Sequence, residues 1–496
     1  MATAQDPSPS PRFLFKGIFQ GTGLYAIPLL GQNLASIAVL PIISRVLTTA
    51  DYGVANLLEK ISSVLTIILG GNFASALGYF YFKKASAPDR NAVVGTVLIG
   101  ALLIGSLAGL ICWPLTAALS ALVPGDPSVK YYLRVIFLSM PLAFLLEALL
   151  SWLRVADRRG TFVAGSLLRI GVTIVGIVVL VGLLKLHVWG VLLTAVIAIV
   201  VAALVLGVYC LGAMPPSFRP RLFVEIARFA VPLSLSGLAM FVLHFGDQFI
   251  LARYRPLAEV GIYALAYKIG MLVSVAGASF QSYWNAQVFQ IMRRDDADIV
   301  FARLFTYVVL GLAFVGLGLT VCSRPALWIL TRPSYRGAAP LIPVIAIAYF
   351  LRSVGDFFRC LFLVEGRPSL DAACTWLGTI VCVGGYFTLI PPYGMWGAAI
   401  ASVVAFALIA VVSIVWTYRL RPYRLETSRL GKVAVALAAI LLPHGVVRVA
   451  SLPWQIGWSA LLLSAFPFIL WLLRFPTPGE REMMGTALRS LRRRKI

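Results

Sequence analysis

The sequence predicts an all-α integral membrane protein of about fourteen transmembrane helices, and three observations predict it. The first is composition: the 496 residues are 60% hydrophobic and only 12% charged, with a mean hydropathy of +0.92. Soluble domains average about 25% charged residues, and a soluble fold of this length has no core large enough to hide so much apolar surface. The second is the length of the apolar runs, which are continuous over roughly the 20 residues a spanning helix needs and do not show the alternation of a transmembrane β-barrel. The third is the distribution of basic residues in the loops between runs.

Polar punctuation divides the chain into predicted spans 20–44, 52–80, 93–120, 130–153, 161–184, 188–213, 229–252, 257–285, 304–324, 339–364, 370–390, 395–417, 432–450 and 455–473. If the N-terminus is cytoplasmic, 27 of the 42 Lys and Arg residues fall in inner loops and the tail, and 9 fall in outer loops. That bias follows the preference of cytoplasmic loops for Lys and Arg and places both termini in the cytoplasm. It also accounts for the net charge of +23, so nucleic acid is not an expected partner. Met1–Pro11 is polar and lacks the basic start and short apolar core of a cleaved signal peptide, so the first span is expected to be retained. The six cysteines lie in apolar runs without a CxxC pair, as small buried hydrophobes do.

The chain repeats itself. Gly53–Lys60 reads GVANLLEK and Gly261–Lys268 reads GIYALAYK, 208 residues apart. Trp189-Gly190 and Trp396-Gly397 open later helices 207 residues apart, and Pro28 and Pro232 mark the preceding helices. Six spans per repeat give both halves the same orientation, with a pseudo-two-fold along the membrane normal. The expected division is an N-terminal lobe over 1–213, a C-terminal lobe over 214–417, and 418–496 carrying the last two spans and a basic tail.

Charges within spans are costly and ordinarily face a bundle interior or a wet cavity. The candidates are Glu59, Lys60, Arg134, Glu147, Arg169, Asp247, Lys268, Arg352, Asp356 and Arg359, six positive and four negative. Helical spacing puts Asn56, Glu59, Lys60 and Ser63 on one face, and His244, Asp247 and Gln248 on another. Arg352, Asp356 and Arg359 follow i, i+4, i+7, so Asp356 is expected to neutralise one arginine and leave the other free. Gln32, Asn33 and Ser36 line the first span, and Tyr263 and Tyr267 flank Lys268. Arg134 and Arg169 lie near span ends, where they can snorkel to headgroups. The expected substrate cavity comprises Lys60, Lys268, Arg352, Arg359, Asp247, Asp356, Glu59, Gln32, Asn33, Asn56 and Tyr267, with Asp247 and His244 as candidates for ion coupling. Walker A, HExxH and GxSxG motifs are absent from the sequence, so no catalytic, metal or cofactor site is expected and the functional class is transport.

The segment Arg45 to Gly53, RVLTTADYG, resembles the RxL…(D/E)(Y/F)G signature of bacterial polysaccharide-export flippases of the Wzx-like branch. Gly246-Asp247-Gln248, Val260–Lys268 and Pro392–Ala401 resemble further motifs of that family, within the multidrug/oligosaccharidyl-lipid/polysaccharide exporter superfamily. The likeness covers nearly the whole chain. One departure is Asp247-Gln248 where the family commonly has Asp-Arg, which leaves Arg253 or Lys268 to partner Asp247. The resemblance implies two six-helix lobes around a central cavity with two peripheral C-terminal helices, as in the superfamily's multidrug exporters. It also implies alternating access in the inner membrane of a bacterium and a cargo of undecaprenyl-diphosphate-linked oligosaccharide. Membrane lipids, a polysaccharide polymerase and a chain-length regulator would be its further partners. A multidrug cation antiporter on the same fold would want a net acidic cavity. A lipid II flippase would differ in substrate alone. A membrane-embedded glycosyltransferase or polymerase would need an acidic catalytic cluster or a large outer loop, and the longest outer connection, about 324–338, carries neither.

Overall fold

The computed structural model describes residues 28, 31–84, 86–214, 217–447 and 451–477. Thirteen of its helices are long and apolar enough to cross a membrane, and they match the second to fourteenth predicted spans. The first predicted span, 20–44, is described at residue 28 and from 31 on. Its described part is helical from 31 to 38 and continues as α1 (Leu40–Val46).

The N-terminal spans begin with α2 (Thr49–Gly70), whose start is fixed by a capping box. Thr48 Oγ1 accepts from the Asp51 amide, and the Asp51 side chain accepts from the Thr48 amide. A π-helical turn at Ile67–Gly71 re-aims the chain into α3 (Asn72–Lys83). Phe144 fills the space beside Gly70, where a Cβ would come within 2.7 Å of its ring. Then follow α4 (Ala87–Cys112), α5 (Val129–Val155), α6 (Arg159–Leu183) and α7 (His187–Ala213).

The second series is α8 (Pro220–Tyr254), α9 (Leu257–Gly270), α10 (Leu272–Ile291), α11 (Ala297–Leu330), α12 (Leu341–Val364), α13 (Pro368–Tyr393) and α14 (Met395–Leu420). α8 and α11 run well beyond the predicted spans 229–252 and 304–324, because a helix continues through Arg221, Glu225, Arg228 and Asp298 after its apolar run ends. The connection after α11 is correspondingly short, a 3₁₀ turn at Pro333–Ala338. α15 (Thr427–Val446) and α16 (Leu452–Leu472) build a separate small core with α11, in which Leu317, Val321, Ile440 and Phe466 interdigitate.

The two series meet through their repeat-equivalent helices. A Cβ on Gly53 would stand 2.3 Å from the Leu257 carbonyl oxygen, and one on Gly261 would stand 1.9 Å from that of Thr49. Both residues of the second contact lie 208 positions from those of the first, so each half makes the same approach to the other. Only glycine lets the backbones of α2 and α9 come this close. At the same end, the Tyr335 hydroxyl donates to the carbonyls of Leu47 and Thr48 at 3.1 and 2.9 Å, and Ser44 Oγ donates to that of Leu330 at 3.1 Å.

Candidate functional site

Behind the glycine contact, charged residues of α2 and α9 lie within electrostatic reach of one another. Lys60 Nζ pairs with Glu59 Oε1 at 3.2 Å and sits 4.2 Å from the centre of the Phe245 ring. Glu59 is 70% exposed although it lies near the middle of a spanning helix, so the space around it is open. Lys268, the repeat equivalent of Lys60, lies within electrostatic reach of Glu59. It is half-buried and has no hydrogen bond or ion pair with the described residues. Asn56, one turn above, donates to Gln248 Oε1 at 2.5 Å and ties α2 to α8. Farther along, Asn72 of α3 donates to Ser234 at 3.3 Å and Tyr79 of α3 stacks on Phe229 at 4.8 Å, joining α3 to α8.

Asp247 is fully buried on α8. The partner expected for it was Arg253 or Lys268, and neither is found. The Tyr263 hydroxyl donates to Asp247 Oδ2 instead, and Oδ1 has no hydrogen-bond partner among the described residues. A short polar chain runs beside it. The Tyr267 hydroxyl bonds the His244 carbonyl and the Tyr349 hydroxyl, and Tyr349 lies 3.0 Å from His244 Nδ1. Arg352 approaches the same nitrogen at 3.1 Å. A guanidinium only donates, so this contact makes Nδ1 an acceptor and puts the ring proton on Nε2.

The charges on α12 correct the expectation of one free arginine. Asp356 accepts from both Arg352 Nε at 3.3 Å and Arg359 at 3.2 Å. Arg359 is also bound by Asp371 Oδ1 at 2.6 Å and Thr375 Oγ1 at 2.7 Å, both on α13. Asp371 and Thr375 lie in the first turns of the predicted span 370–390, where a charge so near a span end gives no sign of an interior partner. With Asp371 counted, this set of intramembrane side chains has four cations (Lys60, Lys268, Arg352, Arg359) and four carboxylates (Glu59, Asp247, Asp356, Asp371). The cationic excess read from the spans therefore does not survive as a count. What remains is placement, with Arg359 and Asp247 enclosed and Lys268 unmatched.

The other intramembrane charges have partners of their own. Arg169 pairs with Glu147 at 3.8 Å, and Arg134 lies over the Trp113 and Tyr131 rings at 5.5 and 5.9 Å. Gln32 is exposed and Asn33 half-buried on the described part of the first span, which packs on α6 through Gly31 and Ile170. Among the described residues, no group of three or more His, Cys, Asp or Glu is placed to hold a metal ion.

A family model described as polysaccharide biosynthesis protein matches residues 18–282. The succinoglycan biosynthesis transport protein ExoT of Rhizobium meliloti (strain 1021) is 22% identical over 349 residues, covering 68% of this chain and 67% of that protein. Among solved structures, lipid II flippase MurJ in an inward closed conformation superposes with a TM-score of 0.76 at 11% identity, over 90% of this chain and 98% of its own. An inward-facing multidrug resistance transporter of the MATE family, MOP superfamily, superposes with a TM-score of 0.66 at 17% identity, over 78% of this chain and 94% of its own. The fold is that of these multi-pass transporters, and the sequence relatives are transporters of polysaccharide biosynthesis.

Proposed function

This chain belongs to the polysaccharide biosynthesis protein family, and we propose that it is a flippase carrying an undecaprenyl-diphosphate-linked oligosaccharide from the cytoplasmic to the outer leaflet of a bacterial inner membrane. The observation that carries this reading is the pair of repeat-equivalent lysines. Lys60 and Lys268 come from the two helices that meet at the molecule's internal two-fold, with only the exposed Glu59 of α2 between them in charge. A diphosphate diester bears about two negative charges and accepts charge-assisted hydrogen bonds from such groups. Left without that path, each ion crossing the bilayer would meet a desolvation cost of several kcal/mol.

The proposed cycle is alternating access of two lobes, 1–213 and 214–417, with 418–496 as a peripheral element and both termini in the cytoplasm. The basic bias of the alternate loops supports that orientation. The interior-negative potential favours outward movement of the cargo by roughly 2.3 kcal/mol per charge per 100 mV. Asp247 is proposed as the ion-coupling site. An ionised carboxylate with one buried oxygen unmatched is costly in the membrane interior, and uptake of a proton or sodium ion relieves that cost. His244 is less suited, because protonating Nδ1 would set it against the donors of Arg352. An exporter of organic cations would need an open, unpaired carboxylate, and the open one, Glu59, is paired with Lys60.

The test is transport in proteoliposomes of a fluorescent polyprenyl-diphosphate oligosaccharide. The wild type is expected to expose it to the outer face, and the double variant Lys60→Gln/Lys268→Gln to be slower by about tenfold or more, a loss of at least about 1.4 kcal/mol of differential stabilisation. A folded double variant working at the wild-type rate would overturn the reading.

A further inference from the structure

Away from Lys60 and Lys268, a recess of about 380 Å³ lies where α14 ends and α15 begins. Its walls are Ile414, Val415, Tyr418 and Tyr423, and its rim carries Arg419 and Thr427. Val415 and Tyr418 are 41% and 54% exposed on a membrane-spanning helix, so the opening faces the bilayer. The rim stands at the depth of the headgroups, because Arg419 occupies the last turn of α14.

The recess is built rather than incidental. The Tyr423 hydroxyl donates to the Ile414 carbonyl at 3.0 Å, and its ring rests on those of Phe301 and Phe358, each at 5.4 Å. Tyr418 meets it edge-on at 5.6 Å. The basic residues around it differ in one respect. Arg421 is engaged by Asp298 at 3.6 Å and by the Met292 carbonyl at 3.2 Å, and Arg429 is engaged by Glu426 at 3.1 Å. Arg419 has no hydrogen bond or ion pair with the described residues. Thr427, the first residue of the 20-residue α15, stands at the same rim, where the positive end of the helix favours an anion.

We propose that this recess binds an anionic glycerophospholipid of the phosphatidylglycerol or cardiolipin class, on the leaflet faced by the basic loops. The phosphate sits between Arg419 and Thr427, and the head of one acyl chain lies against Ile414, Val415 and Tyr418. A slot open to the bilayer is filled by lipid. The unpaired guanidinium sets the headgroup, because the ammonium of a zwitterionic lipid would add a second cation beside Arg419.

Native mass spectrometry of the full-length protein, titrated with phosphatidylglycerol or phosphatidylethanolamine, tests this. The wild type is expected to retain phosphatidylglycerol about tenfold more tightly, Arg419→Gln to abolish that preference, and Arg424→Gln to keep it. Val415→Trp, which fills the recess and leaves the arginine in place, is expected to release both lipids and serves should the Arg419 variant not fold. Equal binding of the two lipids by the wild type, or a wild-type preference in folded Arg419→Gln or Val415→Trp, would refute the site. So would displacement of phosphatidylglycerol by equimolar polyprenyl diphosphate, which would assign the recess to the transported cargo.

Discussion

Arg352 directs one guanidinium nitrogen at His244 Nδ1, 3.1 Å away, while its Nε reaches Asp356 at 3.3 Å. The histidine is thereby an acceptor that helps hold an arginine in place. His244→Asn, which keeps a short polar acceptor, is expected to retain most transport in the proteoliposome assay, whereas His244→Leu lowers stability by about 1–2 kcal/mol by stranding the donors of Arg352 and Tyr349. Abolition of transport in a well-folded His244→Asn would instead make the imidazole a proton carrier.

Asp247 gives the opposite pattern. Among the described residues Tyr263 is the one side chain that donates to its buried carboxylate, and Oδ1 has no partner, so Asp247→Asn is expected to leave the melting temperature unchanged or raised while transport falls to background. Tyr263→Phe removes the sole side-chain donor, and a loss of about 1–3 kcal/mol is expected in thermal unfolding. A large destabilisation by Asp247→Asn would show that the carboxylate holds the bundle together and has no coupling role.

At the glycine contact, any side chain at position 261 collides with the Thr49 carbonyl. Gly261→Val is expected to force α2 and α9 apart, to increase several-fold the maleimide labelling of a cysteine placed at Ala55, and to cut transport by about tenfold. Unchanged labelling would mean that the helices relieve the collision locally.

Arg359 is held by Asp356, Asp371 and Thr375 and is 15% exposed. Arg359→Met leaves two carboxylates facing each other and is expected to destabilise by about 2–3 kcal/mol, below the range for a fully buried pair because Asp371 is 36% exposed. Adding Asp371→Asn is expected to recover part of that loss in the same unfolding measurement. If the two changes are simply additive, Arg359 and Asp371 are not coupled.

Much of this was legible in the sequence, for identifiable reasons. Continuous apolar runs report spanning helices directly, and matched octapeptides at Gly53 and Gly261 announced the two helices that meet. The i, i+4, i+7 spacing put Asp356 beside one arginine of α12 but did not show that it engages both. Contacts between helices left no such trace. Nothing in the order of residues ties Asp371 to Arg359, Tyr263 to Asp247, or Asn56 to Gln248 192 positions away. The lengths of α8 and α11 were understated because hydropathy marks where the bilayer ends, and a helix obeys backbone hydrogen bonding beyond that point. Helical spacing also could not tell that the first span, with its polar Gln32 and Asn33, packs on α6 through Gly31 and Ile170.

The reciprocal approach of Gly53 to Leu257 and of Gly261 to Thr49 is a handshake that is its own image under a half-turn. Two identical chains associating side by side in the same orientation would make this kind of joint. The seam between the halves thus retains the form of a homodimer interface, and a gene cut between the sixth and seventh spans would yield two fragments that each carry one matching hand of it.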